Sequence, residues 1–230
     1  MKKSIVLATA VASILTSGVA AAELTANAGV FSNYIWRGVT QTADAAAGQG
    51  GIDWSGDSGL YAGTWLSTID GGQEVDVYAG FAGEAGSFGY DLGVITYQYP
   101  VTPSELNFTE VYASGSIVGI TVGLAYTVDK ASGASDPDGN DDDLYLHASY
   151  DFAMKEIDYS IYLGNYSFDA DTTGDTDYTH YGASLSKDGF TFAVDKNDIE
   201  ATNPGFGGVG GAGTEDRVRF TVSYAVDFEL

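Results

Sequence analysis

Six charged residues carry the chemistry that this sequence suggests. The basic members are Arg37, Arg217 and Arg219, and the acidic members are Glu74, Asp76 and Asp143. Basic side chains that face acidic ones across a water-filled passage set up a transverse field, and such charge rings control which ions and polar solutes pass. Packed against one another, the same groups would neutralise their charges and close the passage, because a buried charge needs a partner.

The end of the chain indicates which elements position these charges. Residues 217–230 alternate without interruption, with apolar side chains at Val218, Phe220, Val222, Tyr224, Val226, Phe228 and Leu230. Successive side chains of a strand point to opposite faces, so this segment has one apolar and one polar face. Such a final strand in an exported chain is typical of an all-β, antiparallel transmembrane barrel.

The beginning of the chain predicts export. Lys2 and Lys3 precede a mostly apolar stretch at 5–15, and residues 20–22 are alanines suited to cleavage. This pattern predicts a secretory signal peptide over 1–22 rather than a membrane anchor. We therefore expect a single barrel domain over 23–230 and a location in the bacterial outer membrane.

Composition excludes several classes of partner. The formal charge is −23, and removing Lys2 and Lys3 makes it −25. Nucleic acids and anionic headgroups would be repelled. The barrel architecture gives outer-membrane lipids and small solutes or ions as the expected partners. The chain has no cysteine, which excludes disulfides and thiol chemistry. We see no cofactor fingerprint, expect no cofactor, and assume a monomer.

Short and long breaks alternate along the chain. Five short ones lie at 55–58, 85–86, 118–119, 153–156 and 187–189, and six longer ones at 38–46, 67–72, 100–104, 128–142, 169–176 and 200–214. This asymmetry is typical of short periplasmic turns and longer external loops. It predicts twelve strands, at 24–36, 47–54, 59–66, 73–84, 87–99, 105–116, 120–127, 142–152, 157–168, 177–186, 190–199 and 215–230.

Parity assigns most strand faces. In 87–99, 120–127 and 157–163 the apolar set is expected to face lipid, whereas 73–84 and 105–116 do not alternate cleanly. Arg37 lies at the top of the first strand, and Arg217 and Arg219 lie at the top of the last, all on the inward parity. Because closure makes the first and last strands neighbours, we expect the three arginines to cluster inside the outer mouth. Aromatic residues near strand ends predict interfacial girdles, with members Tyr34, Trp36, Trp54, Trp65, Tyr97, Tyr99, Tyr150 and Phe228.

A family resemblance supports this architecture. The segment SNYIWRGVTQT at 32–42 resembles the N-terminal signature of the TorF family of porin-like outer-membrane β-barrels. Further similar stretches are GGIDW at 50–54, SGLYAGTW at 58–65, EVDVYAG at 74–80, YDLG at 90–93 and YQYP at 97–100. The resemblance is specific over the first half of the mature chain. It implies an outer-membrane barrel with a channel function and carries no catalytic residues.

Two functions remain open from the sequence. One is a porin-like channel for passive diffusion of small cationic or polar solutes. Other inward-facing charges favour cations, since they are acidic: Asp91, Asp151, Asp158, Asp195 and Asp227. The alternative is a non-conducting structural or interaction barrel with a packed interior, which would act through its external loops.

Metal and hydrolase sites are weaker hypotheses. Oxygen ligands alternate at Asp136, Asp138, Asn140 and Asp142, as a hard cation prefers. The segment lacks the other features of a helix–loop–helix calcium site, which favours a solvated acidic loop. His147 shares a face with Ser149 and Asp151, but strand neighbours two apart lie about 7 Å from each other, too far for a Ser–His hydrogen bond. We therefore expect no enzyme.

Overall fold

The computed structural model describes residues 23–100, 106–131, 142–168, 177–199 and 217–230. The strands, in chain order, are β1 (Glu23–Phe31), β2 (Ile35–Trp36), β3 (Val39–Thr40), β4 (Ala47–Ser55), β5 (Leu60–Ile69), β6 (Gly72–Ala85), β7 (Phe88–Gln98), β8 (Phe108–Ile117), β9 (Ile120–Lys130), β10 (Leu144–Met154), β11 (Ile157–Ser167), β12 (Tyr178–Lys187), β13 (Phe190–Asn197) and β14 (Arg219–Glu229). Within the described ranges, no helix has the length and apolar character needed to cross a membrane.

Twelve of the strands form a closed antiparallel barrel, as predicted. Their order around the barrel is β1-β14-β13-β12-β11-β10-β9-β8-β7-β6-β5-β4, and β4 pairs with β1 to complete the ring. The closing seam pairs Thr25 with Glu229 and Phe31 with Ser223. The remaining two strands, β2 and β3, form a separate small hairpin.

The two ends of the barrel differ. The end that carries Glu23, Leu230 and five tight turns is called the turn end, and the opposite end is called the loop end. Residues with positive φ occupy the tight turns, including Val118, Lys155 and Asp188. The predicted loop at 67–72 is wrong, because β5 and β6 continue to a two-residue turn in which Gly71 has a φ of 72°.

The outer face of the barrel is apolar. In β9, Ile120, Val122 and Leu124 are exposed, whereas the alternating Gly123 and Ala125 are buried. The predicted parity of β7 and β11 is found as well. The structure also assigns the faces of segments 73–84 and 105–116, which alternation left uncertain. Glu74, Asp76 and Tyr78 face inward from β6, and Glu110 and Tyr112 face inward from β8.

Inward-facing glycines leave space for tyrosine rings. A Cβ added at Gly63 would collide with the ring of Tyr78, and one at Gly80 would collide with Tyr61. The same relation holds between Gly93 and Tyr112 and between Gly182 and Tyr162. Each tyrosine ring therefore packs on the glycine backbone of the neighbouring strand and lies along the inner wall of the barrel.

Two clusters of buried hydrophobic residues lie inside the loop half of the barrel. One cluster consists of Tyr34, Ala47, Ile69, Ile95, Tyr97 and Tyr99, and a second of Val39, Tyr166, Tyr178 and Ile199. The predicted aromatic girdles are therefore wrong in part. Trp54, Tyr150 and Phe228 are exposed on the outer surface, but Tyr34, Trp36, Tyr97 and Tyr99 pack inside, and Trp65 packs edge-on against Tyr34.

Candidate functional site

The first barrel strand ends before the predicted position. β1 stops at Phe31, where Ser32 exchanges backbone and side-chain hydrogen bonds of 2.9 Å with Val222. Asn33 then accepts hydrogen bonds from the Thr40 and Thr42 hydroxyls at 2.6 and 2.9 Å. These polar bonds turn the chain away from the wall, so the predicted strand 24–36 is too long.

The turned segment enters the barrel as the β2–β3 hairpin. Its tip consists of Arg37 and Gly38, with φ values of 47° and 80°, the left-handed pair that suits a two-residue hairpin turn. A Cβ at Gly38 would collide with the Cβ of His180 on β12. The carbonyl of Gly38 accepts a 2.8 Å hydrogen bond from Asn197 on β13. The tip is therefore fitted closely to the far wall.

The hairpin segment contacts walls on opposite sides of the barrel. Tyr34 donates a hydrogen bond of 2.8 Å to Glu74 on β6, and Gly38 packs on β12, six strands away in the barrel order. Arg37 reaches β8, whereas Asp44, at the other end of the segment, contacts β14, again six strands away. The segment therefore lies across the lumen in the loop half.

Arg37 forms the most enclosed ion pair among the described residues. Its Nη1 and Nη2 donate to the two carboxylate oxygens of Glu110 at 2.8 and 2.6 Å. The exposed fractions are 8% for Arg37 and 1% for Glu110. The guanidinium carbon lies 4.3, 4.1 and 5.0 Å from the ring centroids of Trp36, Tyr145 and Tyr166. Removing one partner of a buried pair costs about 3 to 5 kcal/mol, because the other charge loses its compensation.

Glu74 and Asp76 lie on the wall beside this pair. The Glu74 carboxylate is hydrogen-bonded by the hydroxyls of Tyr34 and Tyr99. Burial, followed by the charges of Glu74 and Asp76, raises the pKa of Tyr34 well above its ordinary value, so Tyr34 stays a neutral donor. Asp76 is 1% exposed and its Oδ1 has no hydrogen-bond partner. Among the described residues, no ion pair joins a basic side chain to either carboxylate.

The predicted cluster of three arginines does not form. Arg217 and Arg219 both bind Asp44, with a distance of 3.1 Å for Arg219 Nε, whereas Arg37 binds Glu110 on the other side. The prediction failed because it placed Arg37 at the top of β1 rather than at the tip of an inserted hairpin. Asp143 forms a 2.8 Å ion pair with Lys130 near the loop end.

A different arrangement holds several other inward carboxylates. Tyr78 donates a hydrogen bond to Asp53, and Tyr61 donates one to Asp91 at 2.6 Å. Because the Tyr61 proton is used in this way, the Tyr112 hydroxyl must donate to Tyr61. Further from the turn end, Tyr162 donates to Asp195. Neutral hydroxyl donors satisfy these carboxylates without cancelling their charge.

The weaker sequence hypotheses find little support. Ser149 donates to Asp151 at 3.0 Å, and His147 stacks on Tyr145, so the three residues do not form a hydrolase arrangement. The described residues contain no group of three or more acidic or histidine ligands placed to hold a metal ion. The proposed calcium ligands Asp136, Asp138 and Asn140, together with the signal peptide, lie outside the described residues, and Asp142 accepts a hydrogen bond from Tyr126.

Sequence reasoning missed Glu110, the residue that fixes Arg37. The segment around it has apolar side chains on both faces, since Phe108 and Val111 alternate out of phase. The sequence did contain a signal for the hairpin that carries Arg37. The Arg37-Gly38 pair between Trp36 and Val39 is a short hairpin pattern.

The fold is a closed antiparallel β-barrel, and solved structures with a similar fold include outer-membrane porins. The KdgM porin is 12% identical, with a TM-score of 0.54, over 90% of this chain and 99% of that one. The NanC porin is 14% identical, with a TM-score of 0.54, over 90% of this chain and 100% of that one. Acinetobacter baumannii Omp33 is 6% identical, with a TM-score of 0.55, over 91% and 98%. At these identities the similarity shows the fold alone.

The family follows from a match over most of the chain. The family model described as a bacterial protein of unknown function (Gcw_chp) matches residues 16–228, so the chain belongs to that family. The search of curated proteins found no match.

Proposed function

We propose that this protein is an outer-membrane channel for the passive diffusion of small cationic or polar solutes. Export by the N-terminal signal peptide, cleavage before Glu23 and the absence of enzymatic activity are parts of this proposal. The motif at 32–42 supports the resemblance to the TorF family, which stays a prediction.

The observation that carries the proposal is the pairing of lumen carboxylates with tyrosines. Asp53 and Asp91 accept hydrogen bonds from tyrosine hydroxyls, which leave their negative charges in place, whereas Asp195 also lies opposite Arg219 in the β13–β14 pairing. The charge of −25 expected for the mature chain has the same sign. A lumen with uncompensated negative charge attracts cations and repels anions.

The inserted segment supplies the selective constriction in this proposal. We take the six residues predicted from the sequence as the charged residues of this constriction: Arg37, Arg217, Arg219, Glu74, Asp76 and Asp143. Solutes that pass the loop half must move around or displace the hairpin, because it contacts opposite walls. Passage is therefore restricted to small solutes.

One structural relative has a ligand whose charge is opposite to that of the solutes proposed here. A KdgM porin structure is described as a complex with disordered oligogalacturonate, which is an anionic sugar chain. The tyrosine-paired carboxylates of the present chain would repel such a ligand. The shared fold therefore supports a channel, and the lumen charge favours solutes of the opposite sign.

One observation favours the alternative of a non-conducting barrel. The hairpin is packed among buried aromatic residues, and its Arg37–Glu110 pair is almost fully enclosed. If this packing persists in the membrane, the interior is closed and function moves to the loops at the loop end.

A planar-bilayer measurement separates the two functions. The refolded mature chain is inserted under a salt gradient, and conductance and reversal potential are recorded. Steady steps with a cation-leaning reversal potential support the channel. Steps that favour anions contradict the solute class, and a folded, heat-modifiable barrel without steps supports the closed alternative.

A further inference from the structure

We propose that Glu110, Tyr145 and Tyr166 form a guanidinium-binding site on the barrel wall, and that solutes bearing a guanidinium group displace Arg37 from it. The inference rests on the proposed channel function, since it identifies a class of solute that the constriction recognises. In this structure the Arg37 side chain occupies the site, much as a tethered ligand would.

The contacts of Arg37 are those of a guanidinium receptor. Glu110 binds both Nη atoms, at 2.8 and 2.6 Å, which uses the planar fork of the group. The guanidinium carbon lies 4.1 Å from the Tyr145 ring centroid and 5.0 Å from that of Tyr166. A carboxylate together with aromatic faces suits a flat, weakly hydrated cation better than an ammonium group.

The wall residues are held by contacts that do not involve the hairpin tip. The Tyr145 ring stacks on His180 with a centroid distance of 5.8 Å, and its hydroxyl lies 2.8 Å from His180 Nε2. The Tyr166 ring packs on the ring of Phe168, with a centroid distance of 4.2 Å. These contacts within the wall do not depend on the guanidinium, although Tyr166 also packs edge-on against Trp36 of the hairpin, with ring centroids 6.0 Å apart.

The Arg37 side chain, by contrast, is carried by the β2–β3 hairpin, which is too short to be stable on its own. The hairpin has only two residue pairs, Ile35 with Thr40 and Trp36 with Val39. Arg37 itself has a φ of 47°, a conformation that is unfavourable for a residue with a side chain. A short isolated hairpin is at best marginally stable in water, so contacts with the walls must hold it in place.

Exchange of one guanidinium for another conserves the charge balance. If Arg37 left without a replacement, Glu110 would remain buried and uncompensated. A solute guanidinium restores both the ion pair and the aromatic contacts. A primary amine restores the charge without the bidentate geometry, so it should compete less well.

The test compares agmatine with cadaverine, which have equal charge and similar length. Binding to the full mature chain, refolded in detergent, is measured by calorimetry for the wild type, Arg37→Ala and Arg37→Ala/Glu110→Gln. We expect the single variant to bind agmatine at least tenfold more tightly than cadaverine. The double variant should lose at least tenfold in agmatine affinity. The wild type should bind more weakly than the single variant, since Arg37 competes.

Equal affinities for the two probes in Arg37→Ala, or unchanged agmatine affinity in the double variant, would overturn the site. If Arg37→Ala does not give a heat-modifiable barrel, the wild type is compared with Glu110→Gln alone. Preference for agmatine must then be present in the wild type and lost in the variant. The binding assay does not require conduction, so a non-conducting chain that prefers agmatine would contradict only the proposed channel.

Discussion

The two halves of the barrel differ in where their arginine–carboxylate pairs lie. In the loop half, Glu110 and Asp44 are paired with arginines, Glu74 is held by tyrosine hydroxyls, and buried aromatic residues surround an inserted hairpin. Towards the turn end, Asp53 and Asp91 are paired with tyrosines that lie against inward glycines. The loop half resembles a protein core, whereas the turn half resembles a polar, negatively charged passage. Access and charge preference are therefore assigned to separate regions of one barrel.

Removal of Arg37 should have the largest effect. Arg37→Ala leaves Glu110 buried without its partner, and we expect a loss of about 3 to 5 kcal/mol in the free energy of unfolding. Release of the hairpin should also raise the single-channel conductance severalfold. Urea unfolding in lipid vesicles and planar-bilayer recording measure the two effects. Arg37→Ala/Glu110→Gln, which removes both charges, should recover part of the stability; equal losses in the single and double variants would contradict the pairing.

Substitution at the hairpin tip should have the next largest effect. Gly38→Ala introduces a Cβ that collides with His180, in addition to the cost of a positive φ of 80°. Gly71→Ala is the matched control, since Gly71 has a φ of 72° and nothing lies within 4 Å of the added Cβ. The control should lose about 1 to 2 kcal/mol, and Gly38→Ala should lose more and conduct with larger fluctuations. Similar losses would mean that the tip is not docked against β12.

Neutralisation of the turn half should change ion preference more than stability. Asp53→Asn and Asp91→Asn remove charges that tyrosines leave uncompensated, so the cation-to-anion permeability ratio should fall about twofold for each. Reversal potentials under a salt gradient measure this ratio. Asp188→Asn is the control, because Asp188 lies in an exposed turn with a φ of 52° that asparagine also adopts. An equal change in the control would assign the preference to overall charge instead of the lumen.

Salt should produce the smallest and most graded effect. The screening length falls from about 10 Å at 0.1 M to about 3 Å at 1 M salt. Cation preference should therefore weaken as salt rises, while the enclosed Arg37–Glu110 pair keeps the hairpin in place. Reversal potentials at a fixed salt ratio and increasing total concentration test this, and a preference independent of salt would point to contact selectivity at the constriction.

Much of the barrel was predictable from the sequence, because alternation is local. Side chains two apart share a face whatever the rest of the chain does, so segments such as 120–127 and 217–230 reveal both strand and orientation. Predicted strand limits differ from the observed ones at β1, which stops at Phe31 instead of continuing to 36, and at Gly71, where a tight turn replaces a loop. Alternation was uninformative around Glu110, where apolar side chains occupy both faces of the strand.

The sequence by itself determined that this chain is an acidic, twelve-stranded barrel with an apolar outer face. Only the tertiary structure decided where Arg37 lies and which carboxylate it meets. Strand pairing brings Glu110, Tyr145 and Tyr166 together from separate strands, and a few polar bonds at Asn33 turn the hairpin towards them. Such contacts depend on distances across a closed barrel, which no local pattern in the sequence encodes.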